Sequence, residues 1–218
     1  MKNVLIIGSS GMIGGLVLEH CMNNPAIGQI TLVNRKTINV HHPKVKEIIH
    51  TDYMNLEPVK EAFLNIDLCF YCLGVYTGQF PKDEFNKITI DYAKAFGTLL
   101  KTLSPNAVVC FLSGAGADSS EKSSVLFAKA KGIAENFLLN LGFSKTFIFR
   151  PGYIYPVTPR NEPNLAYKLF RIFYKPLSVI YPNIGLTSIQ LASKMVSVGL
   201  NGNDKIILEN NDIRGNNG

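Results

Sequence analysis

The feature that most constrains the fold of this chain is a glycine-rich stretch close to its start. The apolar run NVLIIG at 3–8 leads directly into SSGMIGG, which places glycines at positions 8, 11 and 14. A β-branched run that ends at glycine before helical spacing predicts a strand, a tight turn and a helix start. The backbone N–H groups at such a turn, together with the positive end of the helix dipole, bind phosphate. We therefore expect a dinucleotide site at this turn.

Each glycine of the turn has a predicted role. Gly8 permits the turn, Gly11 lets a phosphate approach the backbone, and Gly14 lets the helix lie close to the strand. Further main-chain or hydroxyl contacts are expected from Ser9, Ser10, Met12 and Ile13. The spacing G-x-x-G-x-x-G differs from the G-x-G-x-x-G fingerprint of dinucleotide-binding turns. A structural turn without a ligand is the alternative.

Short apolar runs alternate with longer helical patterns through the next part of the chain. Further strands are predicted at 29–35, 45–52, 67–74, 107–114 and 145–152, and helices at 12–24, 55–65, 82–103 and 123–141. The strands are almost continuously hydrophobic, which is typical of parallel sheets covered by helices on both faces. The pattern therefore predicts the α/β class, with a doubly wound and mainly parallel sheet.

The pattern changes after residue 152. A length of 218 residues fits one α/β domain, so we expect 1–155 to form the core and 156–218 a substrate-side cap. The cap is expected to close with a helix at 188–201 and a strand at 204–210, followed by a frayed tail. The basic aromatic segment 163–177 is interpreted as a cap helix, with a lid or a membrane or partner contact as alternatives.

The end of the second predicted strand indicates which dinucleotide is bound. NAD-binding domains commonly carry an acid about 20 residues after the glycines, whereas this chain has Arg35 and Lys36 there. A planar guanidinium can bind a 2′-phosphate with two hydrogen bonds, so NADP(H) is favoured over NAD(H). In such a fold Asp52 is expected near the adenine, and Leu73 and Gly74 under the adenosine.

Composition restricts the other classes of partner and site. The net charge of +6 comes from scattered Lys and Arg, so no nucleic acid is expected as a partner. No run approaches the roughly 20 apolar residues that span a bilayer, and we expect a cytoplasmic protein without a transmembrane segment. Cys69 and Cys72 have C-x-x-C spacing, but residues three apart on a strand point to opposite faces. We expect these two thiols to be buried and unpaired, and no metal site.

The ordered set of motifs resembles the short-chain dehydrogenase/reductase superfamily. The matching stretches are IIGSSGMIGG, LVNRK, HTDYMNLE, CFYCLG, FLSGAGADSS, AKAKGIAE and FIFRPGYI, which cover residues 1–155 in order. They resemble in particular its atypical, single-domain branch and the HTATIP2-like oxidoreductase subgroup. The resemblance implies an NAD(P)-binding Rossmann fold and an oxidoreductase. That subgroup's association with NADPH agrees with the interpretation of Arg35.

The resemblance also implies roles around the nicotinamide. Lys131 matches the family lysine that binds the ribose hydroxyls, and Ser113 matches the serine that orients the substrate carbonyl. Pro151 and Gly152 match the turn where the nicotinamide end meets the substrate cleft. Phe127 stands at the position of the catalytic tyrosine, so the family's proton donor is absent.

The missing tyrosine leaves two classes of function open. The first is an NADP-dependent oxidoreductase that acts on a small carbonyl substrate, with its proton supplied by Tyr153, or by Tyr155 or Tyr76. Lys129 points to another face of the helix and is a poor candidate donor. The second is an inactive NADPH-sensing regulatory or scaffold protein. A sugar-nucleotide epimerase is third, because little chain follows residue 152. A homodimer or a protein partner stays open.

Overall fold

A computed structural model of the chain describes residues 1–157 and 185–215. The predicted segment 163–177 lies outside the described residues, so its interpretation as a cap helix stays a prediction. No helix of the described part is long and apolar enough to cross a membrane.

The described residues form strands and helices in alternation. The strands are β1 Lys2–Ile7, β2 Ile27–Asn34, β3 Val45–Ile49, β4 Leu68–Tyr71, β5 Val108–Leu112, β6 Lys145–Arg150, β7 Tyr153–Tyr155, β8 Gly185–Thr187 and β9 Ile207–Glu209. The helices are α1 Met12–Met22, α2 Lys82–Asn86, α3 Tyr92–Leu103, α4 Leu126–Asn140, α5 Ser188–Asn201 and α6 Asn210–Arg214. A 3-10 helix spans Glu57–Phe63, and a π-helical segment Lys87–Asp91 joins α2 to α3.

The central sheet has seven strands in the order β3-β2-β1-β4-β5-β6-β9, and every neighbouring pair is parallel. Strands β7 and β8 form a separate parallel pair. The chain order reverses between β1 and β4, and ligands of such sheets bind at that switch point, beyond the carboxyl ends of the strands. The predicted doubly wound parallel sheet is confirmed.

Two helical layers cover the two faces of the sheet. Val4 and Ile6 of β1 are buried in the layer that contains α1 and α5. Leu5 and Ile7, which alternate with them, are buried in the layer that contains α3 and α4. Because both faces of the strand are buried, successive residues are apolar, and this explains the continuous hydrophobic runs.

The C-x-x-C thiols are separated by the sheet. Cys69 is buried in the α3–α4 layer, whereas Cys72 packs against the α1–α5 layer. Burial raises the pKa of both thiols above their ordinary value. The prediction that these two thiols do not meet is confirmed, and both are free cysteines.

Local structure differs from prediction in two places. The helix expected at 55–65 is a 3-10 helix that begins only after Leu56, and the Asn55 side chain before it accepts a hydrogen bond from the Glu57 N–H over 3.3 Å. The tail that was expected to be frayed after the last strand instead begins with a short helix. Helix α6 forms at Asn210–Arg214 and is capped by Glu209, whose backbone N–H donates to Asp212 Oδ2 over 3.1 Å.

Candidate functional site

The turn between β1 and α1 requires glycine at two of its three glycine positions. Gly8 has a φ of +86°, and a Cβ there would lie 2.8 Å from the backbone nitrogen of Leu73. A Cβ on Gly14 would collide with the carbonyl oxygen of Gly8. The Gly11 N–H donates to that same oxygen over 3.0 Å and closes the turn. Strand and helix can approach this closely only because the side chains are absent.

Ser9 is part of the turn, but its side chain points into the protein. Its hydroxyl donates to Asn34 Oδ1 over 2.8 Å, and the two residues are only 2% and 1% exposed. A buried amide needs such partners, because an unpaired polar group in the interior is costly. The main chain of Ser9 is therefore the part that is left for a ligand.

A cavity of about 730 Å³ lies beyond the carboxyl ends of β1, β4, β5 and β6. The predicted site residues that line it are Gly11, Met12, Ile13, Leu73, Gly74, Ser113, Lys131, Pro151, Gly152 and Tyr153. Phe127 and Tyr76 line it as well. Sequence reasoning missed the lining residues Cys72, Val75, Thr77, Leu112, Gly114, Ala115 and Ile154. The cavity thus joins the glycine turn to the residues predicted to surround the nicotinamide.

Other predicted site residues lie outside the lining of this cavity. They are Gly8, Ser9, Ser10, Gly14, Arg35, Lys36 and Asp52, and Tyr155 is also absent from the lining. Arg35 and Lys36 are exposed just after β2, and Asp52 is exposed after β3. Burial raises the pKa of Tyr53 to about 12, and the positive charge of Arg35 opposes the rise.

Lys131 is a buried cation in the wall of the cavity. It is 6% exposed, its Nζ donates to the carbonyl oxygen of Leu112 over 3.2 Å, and that nitrogen lies 5.2 Å from the centre of the Phe111 ring. Burial lowers the pKa of Lys131 to about 8, and the negative charge of Glu135 opposes this change. The ammonium group therefore sits where ligand hydroxyls can replace lost water contacts.

Phe127 lies one helical turn before Lys131 on α4, so both side chains reach the cavity. Its ring covers Gly114, where an added Cβ would lie 2.6 Å from Phe127 Cζ. The ring thus fills space but offers no hydroxyl. Lys129 is exposed, which agrees with its prediction on another face of the helix.

Ser113 and Arg150 meet at one buried carboxylate. The Ser113 hydroxyl donates to Glu135 Oε1, and Glu135 is fully buried. Arg150 donates through Nη2 to Glu135 Oε2 over 2.5 Å and through Nε to Oε1 over 3.1 Å. Because the Ser113 proton is held by Glu135, the hydroxyl oxygen of Ser113 can take part in further hydrogen bonds only as an acceptor.

Glu135 was missed in the sequence. It lies four residues after Lys131, which places it on the same helical face. It is the acid within the apolar stretch GIAENFLL, and an acid in apolar surroundings is buried only when it is paired. An acid in apolar surroundings, one helical turn after Lys131, was therefore the signal from which Glu135 could have been found.

The strand order, the glycine turn and the switch-point cavity define a Rossmann fold of the NAD(P)-binding type. Solved structures of known proteins share this fold. The enzyme WbmF of Bordetella bronchiseptica, in complex with NAD+, has a TM-score of 0.70 at 12% identity and matches 95% of this chain and 72% of its own. A short chain dehydrogenase family protein from Francisella tularensis has a TM-score of 0.68 at 14% identity, over 97% and 98% of the two chains.

Sequence relatives narrow the assignment. Protein HTATIP2 of Rattus norvegicus is 29% identical over 177 residues, which are 78% of this chain and 70% of the relative. Protein fmp52, mitochondrial, of Emericella nidulans is 27% identical over 196 residues, or 84% and 79% of the two chains. No family model matches the chain. These relatives, together with the shared fold, support the resemblance to an atypical, HTATIP2-like short-chain dehydrogenase/reductase.

The names of the relatives bear on location as well. Several fungal relatives are called mitochondrial. The expected cytoplasmic location of this chain therefore stays a prediction.

Proposed function

We propose that the protein is a single NADP(H)-binding domain that transfers hydride between the nicotinamide and a small carbonyl or alcohol. The glycine turn between β1 and α1 is called the phosphate turn. The observation that carries this proposal is the continuous cavity from Gly11 of this turn to Ser113 and Lys131. A site that places an anion-binding turn, a buried cation and an apolar substrate wall along one cleft suits a bound dinucleotide.

The choice of NADP(H) over NAD(H) is supported by charge at the end of β2. Arg35 and Lys36 are exposed there. Asn34 takes the last position of the strand and is turned inward, with 1% of its surface exposed. The end of β2 therefore has no acid that could bind the ribose hydroxyls, whereas the two cations that follow it can bind a 2′-phosphate.

The residues of the cavity have distinct proposed roles. When bound, the nicotinamide supplies the hydride. Lys131 would hold the ribose hydroxyls, because its ammonium lines the cavity and the Leu112 carbonyl takes one of its three donors. Ser113 would accept a hydrogen bond from a substrate hydroxyl, because its own proton is committed to Glu135.

Proton transfer is the step that Phe127 cannot perform. A positioned general acid contributes about 10²–10⁴ in rate, so loss of the hydroxyl slows carbonyl reduction without removing cofactor binding. Tyr153 lines the same cavity and is the proposed replacement donor. The alternative function is NADPH sensing without turnover. It is favoured by Phe127, whose ring packs on Gly114 but has no hydroxyl that could donate a proton.

One experiment separates these functions. NADPH and NADH binding and turnover of a panel of small aldehydes and ketones are measured for wild type, Phe127→Tyr and Tyr153→Phe. Wild-type turnover that Tyr153→Phe reduces by about 10² or more supports a reductase with a relocated donor. Tight NADPH binding without turnover, and activity gained in Phe127→Tyr, supports the sensor. Absence of binding for both dinucleotides refutes both functions.

A further inference from the structure

A chain of hydrogen bonds connects the phosphate turn with the edge of the sheet. The Ser9 hydroxyl donates to Asn34 Oδ1 over 2.8 Å, and Asn34 Nδ2 donates to Glu47 Oε1 over 2.7 Å. Glu47 belongs to β3, where it pairs with Leu32 of β2. Three segments that are distant in sequence thus share one network at the carboxyl end of β2.

Glu47 also holds the turn that follows β2. The backbone N–H of Ile38 donates to its Oε1 over 3.0 Å, and the Thr37 hydroxyl donates to its Oε2 over 2.7 Å. Thr37 in turn accepts from the backbone N–H of Asn39 over 3.0 Å, and Asn39 has a φ of 53°. A single carboxylate therefore satisfies donors from Asn34, Thr37 and Ile38.

The Glu47 carboxyl is held in its charged form. Burial alone would raise its pKa, but the hydrogen bonds from Thr37, Asn34 and Ile38 together hold the pKa below its ordinary value. At neutral pH the group accepts all three hydrogen bonds as a carboxylate, and charge-assisted hydrogen bonds of this kind are the stronger ones.

We propose that Glu47 is a positioning residue for cofactor choice: it fixes the turn that carries Arg35 and Lys36 and ties that turn, through Asn34, to Ser9 of the phosphate turn. The inference rests on the proposed NADP(H) binding. The turn between Asn34 and Thr37 consists of Arg35 and Lys36 alone, so anchoring both of its ends restricts where the two cations can stand. A preordered cation loses less conformational entropy when it binds a phosphate.

Two substitutions at this position separate hydrogen bonding from charge. Glu47→Ala leaves three donors without their acceptor, so the turn loosens. Glu47→Gln keeps an amide oxygen for Asn34 Nδ2 and the Ile38 N–H, and its NH₂ group can donate to the Thr37 hydroxyl. The glutamine variant also removes a negative charge close to the two cations. An ordered turn without Glu47's charge should therefore still bind the 2′-phosphate.

The test is the ratio of the NADPH and NADH dissociation constants, measured by titration calorimetry on the full chain without substrate. Glu47→Ala is expected to weaken NADPH binding about tenfold and NADH binding less than about twofold. Glu47→Gln is expected to stay within about threefold of wild type for both. Glu61→Ala, which removes an exposed carboxylate from the 3-10 helix, is the control for net charge and should leave the ratio unchanged.

The outcomes that overturn the inference are distinct from those that overturn the function. Wild type that binds neither dinucleotide refutes the proposed function and this inference with it. Wild type that prefers NADPH, with an unchanged ratio in Glu47→Ala, refutes only the role of Glu47. Equal weakening of both cofactors, or a glutamine variant as poor as the alanine variant, also refutes it. If Glu47→Ala does not fold, Thr37→Val takes its place, because it removes one of the three donors. It should weaken the binding of NADPH alone by about threefold. An unchanged ratio would again refute the role of Glu47.

Discussion

Ser113 of β5 donates its hydroxyl proton to the fully buried carboxylate of Glu135 on α4. The same carboxylate accepts three hydrogen bonds from the Arg150 guanidinium, at 2.5 Å, 3.1 Å and 3.2 Å. Glu135 is therefore the group that fixes how Ser113 faces the cavity, although Glu135 does not line it. Its removal changes both the stability of the domain and the hydrogen-bonding character of the site.

Glu135→Gln is expected to lower the free energy of unfolding by about 3 kcal/mol, because it leaves the Arg150 charge without its buried partner. Urea denaturation measures the change. Glu209→Gln is the matched control, since Glu209 also binds Arg150, at 3.1 Å, but its side chain is 52% exposed. An exposed partner of this kind contributes less than about 1 kcal/mol. Similar small losses in both variants would contradict the buried ion pair.

Lys131 gives the domain a stability that depends on pH. Burial lowers its pKa from the ordinary 10.5 to about 8, so the unfolded chain binds the proton more tightly than the folded one. The cost of burying the charge is complete below about pH 8 and declines as the pH rises towards about 10.5. Lys131→Met removes that cost. The variant is expected to be more stable than wild type at pH 7 by at most about 3 kcal/mol.

The measurement is urea denaturation of wild type and Lys131→Met between about pH 7 and about pH 10.5, where the difference should shrink as the pH rises. Lys129→Met is the control, because Lys129 is exposed on another face of α4. It should show no such trend. A gain in Lys131→Met that does not change with pH would show that packing, and not the buried charge, is responsible.

The central sheet and the glycine turn between β1 and α1 could be predicted because they depend on local patterns. Continuous apolar runs such as that of β1 arise from burial on both faces, and the glycines at 8 and 14 are required by the backbone that surrounds them. The position of Phe127 beside Lys131 followed from helical spacing. These features need no knowledge of which distant residues meet.

The roles of Glu47 and Glu135 could not be predicted in the same way. Glu47 reaches Asn34 only because β3 pairs with β2 in the register that places Glu47 beside Leu32. Glu135 reaches Arg150 only because α4 packs over β6. Strand register and helix placement decide which polar groups become partners, and neither is determined by a local pattern.

Two glycines near α4 should respond differently to alanine. A Cβ on Gly132 would collide with the backbone carbonyl of Asp118, whereas a Cβ on Gly114 would meet the Phe127 ring tip at 2.6 Å. The ring can rotate away, but the 118 backbone is held to α4 by the Asp118 N–H, which donates to the Ala128 carbonyl over 2.9 Å. Overpacking of this kind costs about 1–3 kcal/mol.

Gly132→Ala is therefore expected to lower the free energy of unfolding by about 3 kcal/mol, and Gly114→Ala to lower it by about 1 kcal/mol or less. Thermal and urea denaturation of the two variants give the comparison. If Gly114→Ala is the more damaging change, the Phe127 ring is fixed more firmly than its place in the cavity wall suggests.

Glu47 and Arg35 should act on the 2′-phosphate as one unit. Arg35→Ala is expected to weaken NADPH binding about tenfold or more and to leave NADH nearly unchanged, because only NADPH carries the phosphate that the guanidinium would bind. Since Arg35 is exposed, added salt should weaken NADPH binding more in wild type than in this variant. Lys46→Ala is the control, because Lys46 is also an exposed cation but lies on β3. It should leave the preference for NADPH intact.

The double variant decides whether Glu47 works through Arg35. If Glu47 only orders the turn that presents Arg35, its removal has little further effect once Arg35 is gone. The combined change in NADPH affinity should then be much smaller than the product of the two single changes, which is the signature of coupled residues. Effects that multiply would show that Glu47 and Arg35 act independently. In that case the network from Ser9 to Glu47 supports the sheet edge without directing the choice of cofactor.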